Sequence, residues 1–180
     1  MVRAKDLESK LPTFFPRSRS ELQQIFESLR DDGLLPTGGR GPNAPHITVQ
    51  HGASILIAIC SPRTLAQSAE FVVEWGGMKP VGKKLSDFAG VKNFRQALEV
   101  LLSDAEDKVR LKEVRITLNW PRAIIVLDSG KQFTFGYEDS LAASDAGYFS
   151  YPSRFEAILA PSMLTQMALY ISQPAEQNDE

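Results

Sequence analysis

Between Leu34 and Pro45 the chain places Pro36, Gly38, Gly39, Gly41, Pro42 and Pro45 within twelve positions. No regular helix passes through such a stretch, because proline lacks an amide donor and glycine loses the most backbone entropy on ordering. A glycine-rich loop or a small β-hairpin is expected there, with Arg40 as its one charge. The loop separates two strong helical signals. Ahead of it, Ser18 and Glu21 match a capping box, and Leu22, Ile25, Phe26 and Leu29 form one apolar stripe that Gly33 can close with a left-handed cap. Behind it, Thr48 can cap a helix over Val49–Cys60. That helix is apolar all round from Ile55 onward and is expected to be central and buried.

The rest follows from spacing and breakers. Val2–Leu11 reads as a short helix ended by Pro12. Ser61-Pro62 can start another, with Leu65, Ala69, Val72 and Val73 as its apolar face and Gly76-Gly77 as its stop. Residues 78–85 read as a linker. Ser86 can cap an amphipathic helix carrying Val91, Phe94, Leu98, Leu101 and Leu102 and ending near Ala105. The period then changes to that of strands: Val109–Leu118 with one irregularity, Ala123–Leu127, and Gln132–Tyr137, with turns at Asn119-Trp120-Pro121 and Asp128-Ser129-Gly130-Lys131. These predict a three-stranded antiparallel meander. Glu138–Pro152 reads as loop. Ser153 can cap a last helix, kinked or restarted at Pro161, with Met163, Leu164, Met167, Ala168 and Ile171 on its apolar face; 174–180 read as a disordered tail.

The expected fold class is therefore α+β. Residues 1–77 form a helical, winged helix-turn-helix-like domain. Residues 86–173 form a second domain of helix, meander and C-terminal helix. At 180 residues, 43% apolar and 23% charged, the chain can bury a core without a metal or disulfide. One cysteine, Cys60, excludes an intramolecular disulfide and a cysteine-cluster zinc site. The longest apolar run, Ile55–Cys60, falls well short of a membrane span. With no apolar leader near Met1, a cytoplasmic location is expected.

Catalytic signatures are missing: there is no GxGxxG, no Walker loop, no HExxH and no GxSxG. Gly38-Gly39-Arg40-Gly41 could cradle a phosphate but lacks the Lys-Ser/Thr that follows in nucleotide-hydrolysing loops. His46 and His51 are five apart, off one helix face, so a shared metal is not expected. Cys60, at the end of an apolar helix, reads as a small buried hydrophobe. The carboxylates at Asp104, Glu106 and Asp107, and at Glu138 and Asp139, read as solvated charge. No enzyme, cofactor or metal is expected.

Charge is uneven. Residues 1–46 carry seven Lys/Arg against six Asp/Glu, residues 61–115 ten against eight, and residues 116–180 three against eight. A front half that meets a polyanion fits this asymmetry. Arg17 and Arg19 stand at the start of the best helix beside the capping hydroxyls Ser18 and Ser20. Gln23 and Gln24 lie on its exposed face, Lys5 and Lys10 on the first short helix, and Arg40 in the loop. Arginines and helix N-termini hold phosphates, glutamines pair with adenine edges, and a glycine-rich loop with one arginine can act as a wing. Glu27, Asp31 and Asp32 oppose this by repelling phosphate.

The stretch Leu34-Leu-Pro-Thr-Gly-Gly-Arg-Gly-Pro-Asn-Ala-Pro-His-Ile-Thr-Val49, with the helix before it and Ile55-Leu56-Ile57-Ala58 after it, resembles small proteins of bacterial phage and prophage regions. The resemblance covers about residues 3–60. It implies DNA binding, with Arg17, Ser18, Arg19, Gln23, Gln24 and Arg40 as contacts. The expected function is a phage-type regulator that binds duplex DNA, as a homodimer and without a chemical step. The candidate dimer surfaces are the apolar helices at 62–75 and 161–173, with intramolecular core as the other reading of each. The alternative is an assembly adaptor or inhibitor whose C-terminal domain binds a protein through an exposed apolar patch.

Overall fold

The computed structural model describes residues 2–38, 45–81, 88–103, 111–137 and 155–172. Among them are six α-helices and a five-stranded antiparallel sheet, an α+β fold. Helices α1 (Ala4–Lys10), α2 (Arg19–Asp31), α3 (Val49–Ile59) and α4 (Ser68–Gly76) precede strand β1 (Lys79–Val81) and α5 (Phe94–Ser103). Strands β2 (Leu111–Thr117), β3 (Arg122–Leu127), β4 (Gln132–Gly136) and β5 (Glu156–Leu159) then lead to α6 (Pro161–Ser172). No helix among the described residues is long and apolar enough to cross a membrane.

Helix α3 is the hub. Gly52 through Ile59 are all buried, and α2, α4, α5 and α6 pack around it. Its start is fixed locally by a reciprocal cap. Thr48 Oγ1 accepts the His51 amide at 3.4 Å, and the Thr48 amide donates to His51 Nδ1 at 3.1 Å. That second bond needs a neutral imidazole, and partial burial holds the His51 pKa below its ordinary 6.5. A depressed pKa makes the folded state prefer the unprotonated ring. The associated stability is present above 6.5 and is lost as the pH falls through the lower folded value. His51→Gln keeps an acceptor in the capping box but does not titrate. The expected result is a smaller loss of urea midpoint between about pH 7.5 and about pH 5 than in the parent, measured by circular dichroism. An equal loss in both would place the titration elsewhere.

The sheet order is β1-β4-β3-β2-β5. Cross-strand partners Val114–Ile125–Phe133 and Ile116–Ala123–Phe135 share its inner face, joined by Leu159 opposite Val114. These side chains belong to the same hydrophobic cluster as Leu22, Phe26, Ile55, Phe71 and Ile171, so one core draws on both expected domains. Two bonds among the described residues tie the halves directly. Trp75 Nε1 donates to Thr117 O at 2.8 Å, and the Tyr137 hydroxyl donates to Glu74 O at 2.7 Å.

The structure departs from expectation in four places. In the stretch expected to be a linker, Met78 is buried and 79–81 form β1, paired with β4; Pro80 is tolerated because β1 is an edge strand. The stretch before Pro161 is not helical at 156–159 but strand β5, its Ala157 and Leu159 facing inward opposite Ile116 and Val114. With β1 and β5 flanking β2, β3 and β4, the sheet has five strands where three were expected. Helix α4 starts at Ser68 after a 3-10 turn at Leu65–Gln67, not at Pro62. Its start is set from α2: the buried Ser28 hydroxyl accepts the Ala69 amide at 3.2 Å and donates to Ala66 O at 3.0 Å. Likewise α5 begins at Phe94, where Asn93 Oδ1 accepts the Gln96 amide at 2.9 Å. The expected cap Ser86, the loop residues 39–44 with Arg40, Glu138–Pro152 and the tail 174–180 lie outside the described residues.

Candidate nucleic-acid interface

Helix α2 carries two opposed faces. Leu22, Ile25, Phe26 and Leu29 are buried, while Arg19, Ser20, Gln23, Gln24, Glu27 and Asp31 are exposed. The division follows the helical period read from the sequence. Its amino end is held by the expected capping box. Ser18 Oγ accepts the Glu21 amide at 3.3 Å, and Glu21 Oε2 accepts the Ser18 amide at 2.7 Å and the Ser18 hydroxyl at 2.8 Å. The Ser18 and Ser20 hydroxyls are 3.1 Å apart. These bonds from Ser18, then one from Arg17, hold the Glu21 carboxyl below the usual carboxylate range. The carboxylate therefore stays charged beside Arg17.

The predicted contact residues sort into three groups. Arg19, Gln24 and Lys5 are exposed, and their side chains make no hydrogen bond or ion pair among the described residues. Gln23 is exposed but donates to Glu27 Oε1 at 3.0 Å, and Ser18 serves the cap. Arg17 and Lys10 are turned to the protein itself. Arg17 donates to Ile59 O from Nε at 3.3 Å and from Nη2 at 3.1 Å, to Ser61 O from Nη2 at 3.0 Å, and to Glu21 Oε1 from Nη1 at 3.2 Å. Lys10 lies over the Tyr170 ring of α6, 5.3 Å from its centroid, where Phe14 also packs. So the structure gathers Ser18, Arg19, Ser20, Gln23 and Gln24 on one exposed run of α2. Arg40 lies outside the described residues.

The downstream flank of the glycine-rich loop pairs with the residues just before α1, and its upstream flank bonds back to Leu29 O of α2. The Ile47 amide donates to Val2 O at 2.9 Å, and His46 bridges Arg3. The charges of α2 are mixed: Arg19 and the Glu21 carboxylate stand in its first turn, Glu27, Arg30 and Asp31 in its second half, and Asp32 at its C-cap. The amino end favours the Glu21 carboxylate, which stays charged there, so Arg19 stands as an exposed cation beside a capped helix start.

Two features escaped the sequence reading. The inward direction of Arg17 had one usable signal: α3 ends at Cys60 with no glycine to close it, so its last carbonyls need an outside donor. The second is Arg63, which pairs with Glu70 and Glu74 and lies over the Phe71 and Trp75 rings, themselves stacked at 4.1 Å. That cluster braces α4.

Elsewhere, an open hollow of about 530 Å³ lies beside α5, lined by Ala89, Gly90, Gln96, Glu99 and Ser103 among others. Its polar groups bond locally: Gln96 Oε1 accepts the Lys92 amide, and Ser103 donates to Glu99 O. Cys60 is buried, and burial pushes its thiol up to about 12 despite the Arg17 charge beside it. Comparison with protein-family models, with curated proteins and with solved structures gives no match for this chain.

Proposed function

We propose that the protein is a sequence-specific duplex-DNA-binding regulator of phage type, acting by binding alone, with α2 as its reading helix. The observation that carries this is the outward run of α2: Arg19 and Gln24 are exposed, with no side-chain partner among the described residues, next to Ser20 and Gln23. Helix α3 cannot be the reader, because from Gly52 onward it is buried. The pair α1–α2 then takes the helix-turn-helix role. The amino-terminal residues of α2 face base edges, Arg19 and Lys5 meet phosphates, and the loop with Arg40 acts as the wing. Gln24 supplies an amide that can pair with adenine N6 and N7. Two copies on two half-sites would double this small contact set, and a homodimer is part of the proposal.

The test is retention of fragments from a genomic DNA pool over a salt series from about 50 to about 200 mM. Selection of a common sequence, with log affinity falling linearly against log salt, is the expected result. No retention even at the lowest salt would reject the reading.

A second reading, a protein-binding assembly adaptor, is favoured by one observation. Phe155 is 63% exposed and Ile158, on the outer face of β5, is 54% exposed. Phe155→Ser with Ile158→Thr should leave DNA retention unchanged if the first reading holds.

A further inference from the structure

Arg17 stands just before the Ser18 cap, where the amino end of α2 meets the carboxyl end of α3. Helix α3 closes with backbone bonds from Cys60 to Ile57 O and from Ser61 to Ala58 O. The Arg17 guanidinium takes the carbonyls of Ile59 and Ser61, on either side of Cys60, while its other arm meets Glu21 inside the α2 cap. Three of its nitrogens are thus engaged on two elements at once, and its charge is answered by Glu21. One Nη1 hydrogen is left, on the Glu21 side, so a bidentate grip on a phosphate would have to displace the Glu21 carboxylate or the carbonyls at the end of α3.

We propose that Arg17 is a positioning residue: it latches α2 to the end of α3 and so sets the pose of Arg19, Gln23 and Gln24, without touching DNA itself. This rests on the DNA-binding reading. The fork geometry matters, because a lysine ammonium carries the same charge but cannot span both carbonyls and the carboxylate in a fixed plane. Arg17→Lys therefore separates the two roles. A phosphate contact tolerates lysine as a point charge, whereas a latch does not.

Cys60 gives a readout independent of DNA. It is the chain's one cysteine, buried between the two carbonyls that Arg17 holds. Opening the latch exposes it through local unfolding. The experiment compares the parent, Arg17→Lys and Arg17→Ala in native buffer. It measures the rate of Cys60 modification by a small aromatic disulfide, and the affinity for a retained duplex over the salt series. The latch predicts Cys60 modified roughly tenfold faster or more in both variants, with weaker duplex binding and an unchanged salt slope. A Cys60 rate equal to the parent's in both variants overturns the proposal. So does a slope that drops by about 0.9 in Arg17→Ala and recovers in Arg17→Lys, since that is a lost phosphate contact. Should Arg17→Ala fail to fold, Arg17→Lys decides by the same two readings. Should the parent retain no duplex, the DNA reading fails, and with it the positioning role, while the Cys60 rates still report whether the two helices are latched.

Discussion

Replacing Phe94 by alanine is expected to lower the free energy of unfolding by about 3–5 kcal/mol, the usual cost of truncating a fully buried phenylalanine. Phe94 is fully buried, its ring 5.5 Å from Phe135 of β4, and its amide holds Met78 at the start of the sheet. The cavity would open where α5, α4 and the sheet meet. Because the cluster joins residues from Val2 to Ile171, the damage should not stay in the C-terminal half. Tryptophan fluorescence, reporting in part on buried Trp75, and far-ultraviolet circular dichroism should lose signal at one shared urea midpoint in parent and variant. Two separated midpoints, with only the later-sequence elements lost first, would mean two independently folding units.

The second large effect concerns binding. Gln24→Ala should weaken the selected duplex by about 1–3 kcal/mol, roughly 5- to 150-fold, and leave affinity for unrelated duplex unchanged, because a glutamine amide reads a base edge. Arg19→Ala should weaken both and reduce the magnitude of the log–log salt slope by about 0.9, because it removes one phosphate contact. The two side chains are exposed and make no hydrogen bond or ion pair among the described residues, so neither substitution should shift the unfolding midpoint appreciably. Equal losses on selected and unrelated duplex in Gln24→Ala would remove the base-reading role from that residue. The comparison is made by fluorescence anisotropy at matched salt.

Which parts of this fold were legible in the sequence depends on the range of the interaction that sets them. The α2 capping box and stripe, the Thr48 cap and the all-apolar α3 are written within a few residues, and local rules locate them. The strand positions of β2, β3 and β4 followed from their turns; Gly130, at φ +80, occupies the position in the last turn that favours glycine. Short β1 and β5 were missed because three or four residues carry too little period, and each is specified by a strand far along the chain. The start of α4 was misplaced because its cap, Ser28, sits 41 residues before Ala69. The outward residues of α2 were readable from the same period as its buried stripe. The direction of Arg17 was not, since the carbonyls it holds are 42 and 44 residues away. Residue type alone suggested a phosphate contact; the bonds to Ile59 O, Ser61 O and Glu21 could be seen only in the fold.

The central claim is that the outward face of α2 is what meets DNA. It is tested most directly by backbone amide chemical-shift mapping of the full chain during titration with a retained duplex. The account predicts that shifts concentrate on Ser18–Glu27, with the buried Ile55–Ile59 of α3 unperturbed. Shifts confined to Phe155–Leu159, or absent at low salt, would contradict it.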